Sequence, residues 1–258
     1  MPKNKRHIKV LPFSVSQNFL TSSKTINRLL RRTSIGKDDY VIEIGAGKGH
    51  ITRNLIKICR AVGAYEIDKG LYSKLLDRIG DMEGLSIKCQ DFLSAPLPER
   101  SDYKVFSNIP FSVTTQIVKK LITARNPPQE AWLIMEKGAA KRFMGKPVDT
   151  AMSLIIKPFF DTKIIYHFSK HDFHPMPSVD IVLVHFIKKA QPDIPMEQQK
   201  LYMNFLEICN KQGVFNILSK NRISTALKLA KLPSIKPSGT VLYIQWLCLF
   251  RCYLRGRK

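Results

Sequence analysis

From Tyr40 onward the chain alternates short apolar runs with stretches of helical period. The runs are Tyr40–Ile44, Ala61–Glu66, Leu85–Lys88, Lys104–Ser107, Trp132–Met135, Lys163–Phe168 and Ile181–Phe186. Runs this short, bounded by glycine and polar clusters and spaced by helical patterns, predict an α/β fold with a doubly wound sheet of seven strands. The last two runs are joined through His171-Asp-Phe-His-Pro-Met-Pro-Ser178, a loop too short for a crossover helix, so they are expected to pair antiparallel. Ahead of the sheet, Ser23 opens an amphipathic helical pattern through Ile26, Leu29 and Leu30. Past Lys188 the composition shifts. The linker Lys188-Lys-Ala-Gln-Pro-Asp-Ile-Pro195 leads into helical periods at Tyr202, Phe205, Leu206 and Cys209, and later at Ile223, Ala226, Leu227 and Ala230. The expected organisation is a polar, basic arm over 1–20, an α/β domain over 21–188 and a small all-helical domain over 195–258.

Charge narrows the partners. The 258 residues carry 42 Lys and Arg against 20 Asp and Glu, a formal charge of +22. That excess goes beyond what solubility requires and binds phosphate backbones in a salt-dependent way, so nucleic acid is the favoured partner. A merely basic surface and an anionic membrane are the competing readings. No basic amphipathic helix with a clean apolar face stands out, however, and no apolar run approaches the roughly 18 residues of a membrane span. The start, Met-Pro-Lys-Asn-Lys-Arg-His, is followed by no apolar signal region, which predicts a cytoplasmic protein. Five scattered cysteines with no Cys-x-x-Cys pair read as buried thiols. His167, His171 and His174 are interleaved with Phe168 and Phe173 and lack a completing Cys or acid, so no metal is expected.

The candidate chemistry sits at the ends of successive strands. After the first, Gly45, Gly47 and Gly49 lie where backbone approaches a ligand closely, in a G-x-G-x-G spacing that suits a cofactor lacking a pyrophosphate. A plain tight turn explains the same glycines. Glu66, at the end of the second strand, lies where a carboxylate accepts from both hydroxyls of a ribose. After the third, Asp91 is placed to accept from an adenine amine, or to cap a turn, and Phe92 with Ile67 to sandwich the ring. The fourth ends in Asn108-Ile109-Pro110-Phe111. There the Asn108 side-chain oxygen and the Ile109 carbonyl are candidate acceptors that let an exocyclic adenine amine become tetrahedral, while Pro110 stiffens the turn and Phe111 offers a face to a flipped base. Asn-x-Pro is also an ordinary turn signal. Ligands of open α/β sheets bind at the carboxyl ends of strands, so the four features are expected to converge on one crevice.

With those residues, the chain resembles the Erm family of 23S rRNA adenine-N6 methyltransferases. The marks are Ser16-Gln-Asn-Phe-Leu20, Glu43-Ile-Gly-Ala-Gly-Lys-Gly-His50, Glu66-Ile-Asp68, Asp91, Asn108-Ile-Pro-Phe111, Phe173-His-Pro-Met-Pro-Ser-Val179, Leu218-Ser-Lys-Asn-Arg-Ile223 and Leu249-Phe-Arg-Cys-Tyr-Leu254. The resemblance implies a Rossmann-like methyltransferase sheet with its last strand antiparallel. It implies S-adenosylmethionine held by Asn18, Leu20, Gly45, Glu66, Asp91 and Asn108. It also implies a flipped adenine clamped by Phe111 and Phe173, although Asn18 as a helix cap and Phe173 as plain core are the bland alternatives. The implied activity is mono- or dimethylation of one adenine in the peptidyl-transferase region of 23S rRNA by a monomer, before the ribosome is fully assembled, with resistance to macrolide, lincosamide and streptogramin B antibiotics. KsgA-like small-subunit rRNA dimethyltransferases are the alternative. They typically have Pro-Gly-Leu-Gly and Asn-Leu-Pro-Tyr where this chain has Ala46-Gly-Lys-Gly49 and Asn-Ile-Pro-Phe. RNA contacts are expected from Lys3, Lys5, Arg6 and Lys9, from the helix start at Lys137–Arg142, and from Lys220, Arg222 and Lys228.

Overall fold

Strands buried on both faces must be apolar at consecutive positions, and here neighbours along a strand serve opposite cores. The computed structural model describes residues 18–235 and 239–256; Lys3, Lys5, Arg6, Lys9, Ser16 and Gln17 lie outside the described residues. The strands are β1 (Phe19–Leu20), β2 (Tyr40–Ile44), β3 (Ala61–Glu66), β4 (Leu85–Cys89), β5 (Lys104–Asn108), β6 (Glu130–Glu136), β7 (Phe160–His167), β8 (Phe173–His174) and β9 (Ile181–Lys188). Seven of them form one sheet in the order β4-β3-β2-β5-β6-β9-β7. β9 is antiparallel to β7, as the short 171–178 connection predicts, and also to β6.

Ile42, Val105, Leu133 and Val184 face one core, which takes in helices α4 (Thr114–Ile122), α5 (Lys137–Met144) and α6 (Ala151–Ile156). Val41, Phe106, Trp132, Ile134 and Leu183 face the other, covered by α1 (Ser23–Leu30), α2 (Thr52–Leu55) and α3 (Lys69–Ile79). Capping sets several helix starts. The Ser22 hydroxyl accepts from Thr25 N at 3.2 Å, so Ser22 and not Asn18 caps α1, and Asp68 caps α3 through Leu71 N at 2.8 Å.

Three local features depart from the sequence pattern. The helix expected near His50 is a single turn, α2. The β4-to-β5 connection carries no helix; Pro96 and Pro98 lie in it, and a proline inside a helix removes a hydrogen bond and clashes with the preceding turn. The segment around Phe173, expected as loop, holds β8, which pairs antiparallel with β1 through Phe19 opposite His174 and Leu20 opposite Phe173.

Beyond the sheet lie α7 (Gln199–Gln212), α8 (Val214–Ile217), α9 (Lys220–Leu229) and α10 (Tyr243–Arg255). Their Tyr202, Phe205, Leu249 and Phe250 belong to the same core as Phe186 of β9 and Ile194 of the linker. No helix among the described residues is long and apolar enough to cross a membrane.

Candidate active site

Strand order reverses between β2 and β5, and such a switch point leaves a crevice at the carboxyl ends. β2 and β5 pair only at Val41–Lys104 and Ile42–Val105 and then separate. The buried Ser107 hydroxyl bridges the gap, accepting from Ile44 N at 3.2 Å and donating to the Ile44 carbonyl. Without it those backbone groups would be left unpaired in the core, which costs about 1–3 kcal/mol per group.

The glycine loop enters this crevice. Gly45, Gly47 and Gly49 have φ of +71°, +57° and +76°. At Gly47 an added Cβ would lie 2.7 Å from the Phe19 ring, so close approach as well as conformation requires glycine. Glu66 is buried, and its two oxygens accept from Gly47 N at 2.7 Å and Asp68 N at 2.9 Å. The carboxylate expected to face a ribose thus also fixes the loop. Beneath it, burial pushes the Glu43 carboxyl up to about 8, with Thr52 beside it pulling the other way and Glu66 adding to the rise.

Two cavities meet at Gly45 and Pro110. The outer one, of about 100 Å³, is lined by Gly45, Ile67, Asp91, Phe92 and Pro110 together with Ile44, Tyr65, Gln90, Leu93, Val113 and Ile117. Ile67 is 46% exposed there, and Phe92 sits edge-on to Tyr65 at 5.4 Å. Asp91 does cap its own turn, Oδ1 accepting from Leu93 N at 2.9 Å, while remaining exposed at the cavity wall. Lys120, which no motif in the sequence marks, braces this wall from α4. Its ammonium lies 4.9 Å from the Phe92 ring centroid and donates to the carbonyls of Phe92, Leu93 and Ala95. Burial lowers its pKa, and Asp91 opposes that shift.

The inner cavity is lined by Asn18, Phe19, Gly45, Gly47, Asn108, Ile109, Pro110 and Phe111. Asn108 Nδ2 donates to the Asn18 carbonyl at 2.7 Å, which directs Oδ1 away from that bond as an available acceptor. Phe111 is half-buried and opens a 3₁₀ turn over Phe111–Val113. Phe173 differs from the expected clamp. It is buried, with its ring 5.1 Å from Phe168, because pairing with Leu20 turns it into the core. Leu20 is likewise buried, so the crevice gathers the predicted residues except the side chains of Leu20, Glu66 and Phe173 and except Gly49, which packs against Leu75 and Ile79 of α3. Phe19, part of the Ser16-Gln-Asn-Phe-Leu20 mark, takes its place against the glycine loop from Gly47 and His174, partners remote in sequence.

A family model described as ribosomal RNA adenine dimethylase matches residues 10–236. An rRNA adenine N-6-methyltransferase from Limosilactobacillus reuteri is 32% identical over 250 residues, covering 97% of this chain and 98% of the relative. One from Staphylococcus aureus is 35% identical over 238 residues, covering 92% and 95%. Among solved structures, the 23S rRNA methyltransferase ErmE aligns with a TM-score of 0.76 at 24% identity, over 91% of this chain and 99% of that one. A dimethyladenosine transferase from Plasmodium falciparum aligns with a TM-score of 0.65 at 21% identity, over 88% and 86%. The two structural likenesses concern the fold. The family match and the relatives span nearly the whole chain, including every element that builds the crevice, and so this chain belongs to the ribosomal RNA adenine dimethylase family, among its rRNA adenine N6-methyltransferases.

Proposed function

We propose that this enzyme transfers the methyl group of S-adenosylmethionine to N6 of one adenine in 23S rRNA, and that the modification gives resistance to macrolide, lincosamide and streptogramin B antibiotics. The observation that carries the reading is Asn108 at the switch point, its amide nitrogen tied to the Asn18 carbonyl and its oxygen left to accept. S-adenosylmethionine supplies an electrophilic sulfonium methyl. The crevice suits it: the left-handed Gly45 and Gly47, where any side chain is strained, an apolar lining at Ile67 and Phe92, and the Asp91 carboxylate at its wall.

In this reading Asp91 accepts from the cofactor's adenine amine and the remaining lone pairs of Glu66 accept from its ribose. Asn108 Oδ1 and the Ile109 carbonyl accept the hydrogens of the target amine, drawing its lone pair out of the ring and into line with the methyl. Phe111 stacks on the flipped base and stabilises the transient positive nitrogen. Phe173 supports this face from the core by holding Leu20, and through it Asn18, in place. The methylated amine is acidic enough to lose its proton to water, so no general base is assigned.

The preference for the large subunit rests on Ala46-Gly-Lys-Gly49 and Asn-Ile-Pro-Phe. Incubation with labelled methyl donor should place label on an adenine of protein-free 23S rRNA, acting as a monomer, and leave 30S subunits unlabelled. Label only on the 30S subunit would assign the alternative. Asn108→Ala should lower turnover at least about a hundredfold, the scale of one lost polar group at a transition state, while RNA affinity is kept.

A further inference from the structure

Away from the crevice, Lys24 and Arg28 at i, i+4 on α1, its C-cap Arg31 and Arg32 in the turn beyond form an exposed basic ridge, while Thr25, Ile26, Leu29 and Leu30 of α1 are buried. The helix has no acidic residue in its first turn, and none of the four cations makes an ion pair among the described residues. Two of them are nevertheless held in place. The guanidinium carbons of Arg28 and Arg32 lie 5.2 and 5.5 Å from the centroid of Tyr166, near the end of β7. Arg28 also donates to the Tyr166 hydroxyl, and Arg32 Nη1 donates to the Ile165 carbonyl at 3.3 Å. Tyr166 is itself fixed edge-on against Phe168 at 4.9 Å.

A guanidinium already stacked on a ring has lost much of its rotamer freedom before a ligand arrives, so a phosphate bound there costs less ordering than one bound by a free lysine. α1 is thus a basic amphipathic helix, contrary to the expectation from the sequence that none is present, but its apolar side is buried in the protein core, which leaves nothing to insert into a membrane. The ridge also leads toward the crevice. α1 follows β1, whose Phe19 covers Gly47, and Thr25 Oγ1 donates to Asp172 Oδ1 at 3.4 Å beside β8. Exposed His167 and Lys170 continue it past the end of β7.

We propose that the Lys24–Arg32 ridge, with Tyr166 as its anchor, is a docking track for the phosphate backbone of the rRNA next to the target adenine. This rests on the rRNA reading above and adds the surface that receives the strand.

The test uses the full chain and protein-free 23S rRNA. Lys24→Gln with Arg31→Gln removes two exposed charges whose side chains make no hydrogen bond, ion pair or ring contact among the described residues, and Arg28→Gln with Arg32→Gln removes the anchored pair. Lys119→Gln with Lys200→Gln removes two exposed charges as a control, on α4 and α7, helices that pack on the opposite core from α1. RNA affinity is measured between about 50 and 200 mM salt, the range in which phosphate contacts show most clearly. Methyl-donor affinity is measured by calorimetry. The Lys24/Arg31 variant should bind RNA roughly tenfold more weakly, with a log–log salt slope shallower by about one to two. The control should stay within about twofold, and donor affinity should be unchanged in all three. Arg28/Arg32 should lose at least as much; because that pair also holds Tyr166, the Lys24/Arg31 variant decides. RNA affinity and slope equal to the control would overturn the track even if the wild type methylates 23S rRNA. A track confirmed by binding in a wild type that labels only 30S adenine would leave the ridge standing and remove the 23S assignment.

Discussion

Lys120 spends its ammonium on backbone carbonyls, an arrangement that earns its desolvation cost only by fixing a loop. The loop it fixes carries Asp91 and Phe92, so Lys120→Met should raise KM for S-adenosylmethionine about tenfold and leave kcat within about twofold, the loss of a charged hydrogen bond being worth roughly 1.5–3 kcal/mol. Lys120→Arg should recover part of that loss. Equal falls in kcat and in melting temperature, with KM unmoved, would show that the lysine serves only the fold. Glu43 makes a second residue-scale case. Its folded-state pKa of about 8 lies above the ordinary 4.5, so between those values the folded protein holds a proton that the unfolded chain has released. Stability therefore falls as pH rises through that window and levels off above it. Glu43→Gln has no such proton to lose. Its melting temperature relative to the parent should climb by several degrees from pH 5 to pH 8, and a difference that stays flat would mean that the carboxyl ionises without cost.

At the scale of elements, the β1–β8 ribbon ties two segments remote in sequence over the mouth of the crevice, and Phe19 rests on Gly47. Gly47→Ala should abolish measurable donor binding, since it adds a Cβ against that ring at a left-handed φ of +57°. Adding Phe19→Ala removes the collision but not the backbone cost, so the double variant should recover donor affinity in part by calorimetry; no recovery would place the whole defect in the loop backbone. The ribbon also marks where sequence stops being informative. β2, β3, β5, β6 and β9 are legible because buried strands need unbroken apolar runs, and Gly45, Gly47, Asp91 and Asn108 because the ends of such strands face the crevice. Leu20–Phe173 pairing has no local period, Ser107 looks like any strand serine, and Lys120 beside Lys119 looks like a solvated helix face. Each acquires its role from a partner that only the tertiary fold supplies.

For the whole molecule, the composition shift after Lys188 reads as a boundary, yet the apolar packing does not stop there. Phe160, Phe186, Ile194, Tyr202, Phe205 and Phe250 are buried in one core. Phe205 lies 5.6 Å from Phe250, and Phe250 lies 5.1 Å from Tyr202. Polar bonds tie the same seam: buried Gln199 Nε2 donates to the Ile122 carbonyl at 2.9 Å, and Tyr243 donates to Asp193 of the linker at 2.6 Å in a part-buried bond. A seam of this kind makes the C-terminal helices part of the fold that positions β5 and α4, in addition to any contact they make with RNA. Cutting the chain after Lys189 would strand the aromatic faces of β7 and β9 in water, at about 1.5–3 kcal/mol for each large apolar side chain exposed, against a total stability on the order of 5–15 kcal/mol. The intact protein should therefore melt in a single calorimetric transition, and the 1–189 fragment should be aggregated or unfolded and bind no methyl donor. A soluble fragment that binds the donor with the affinity of the full chain would show instead that the sheet holds its own core, and that α7 to α10 are dispensable to the crevice.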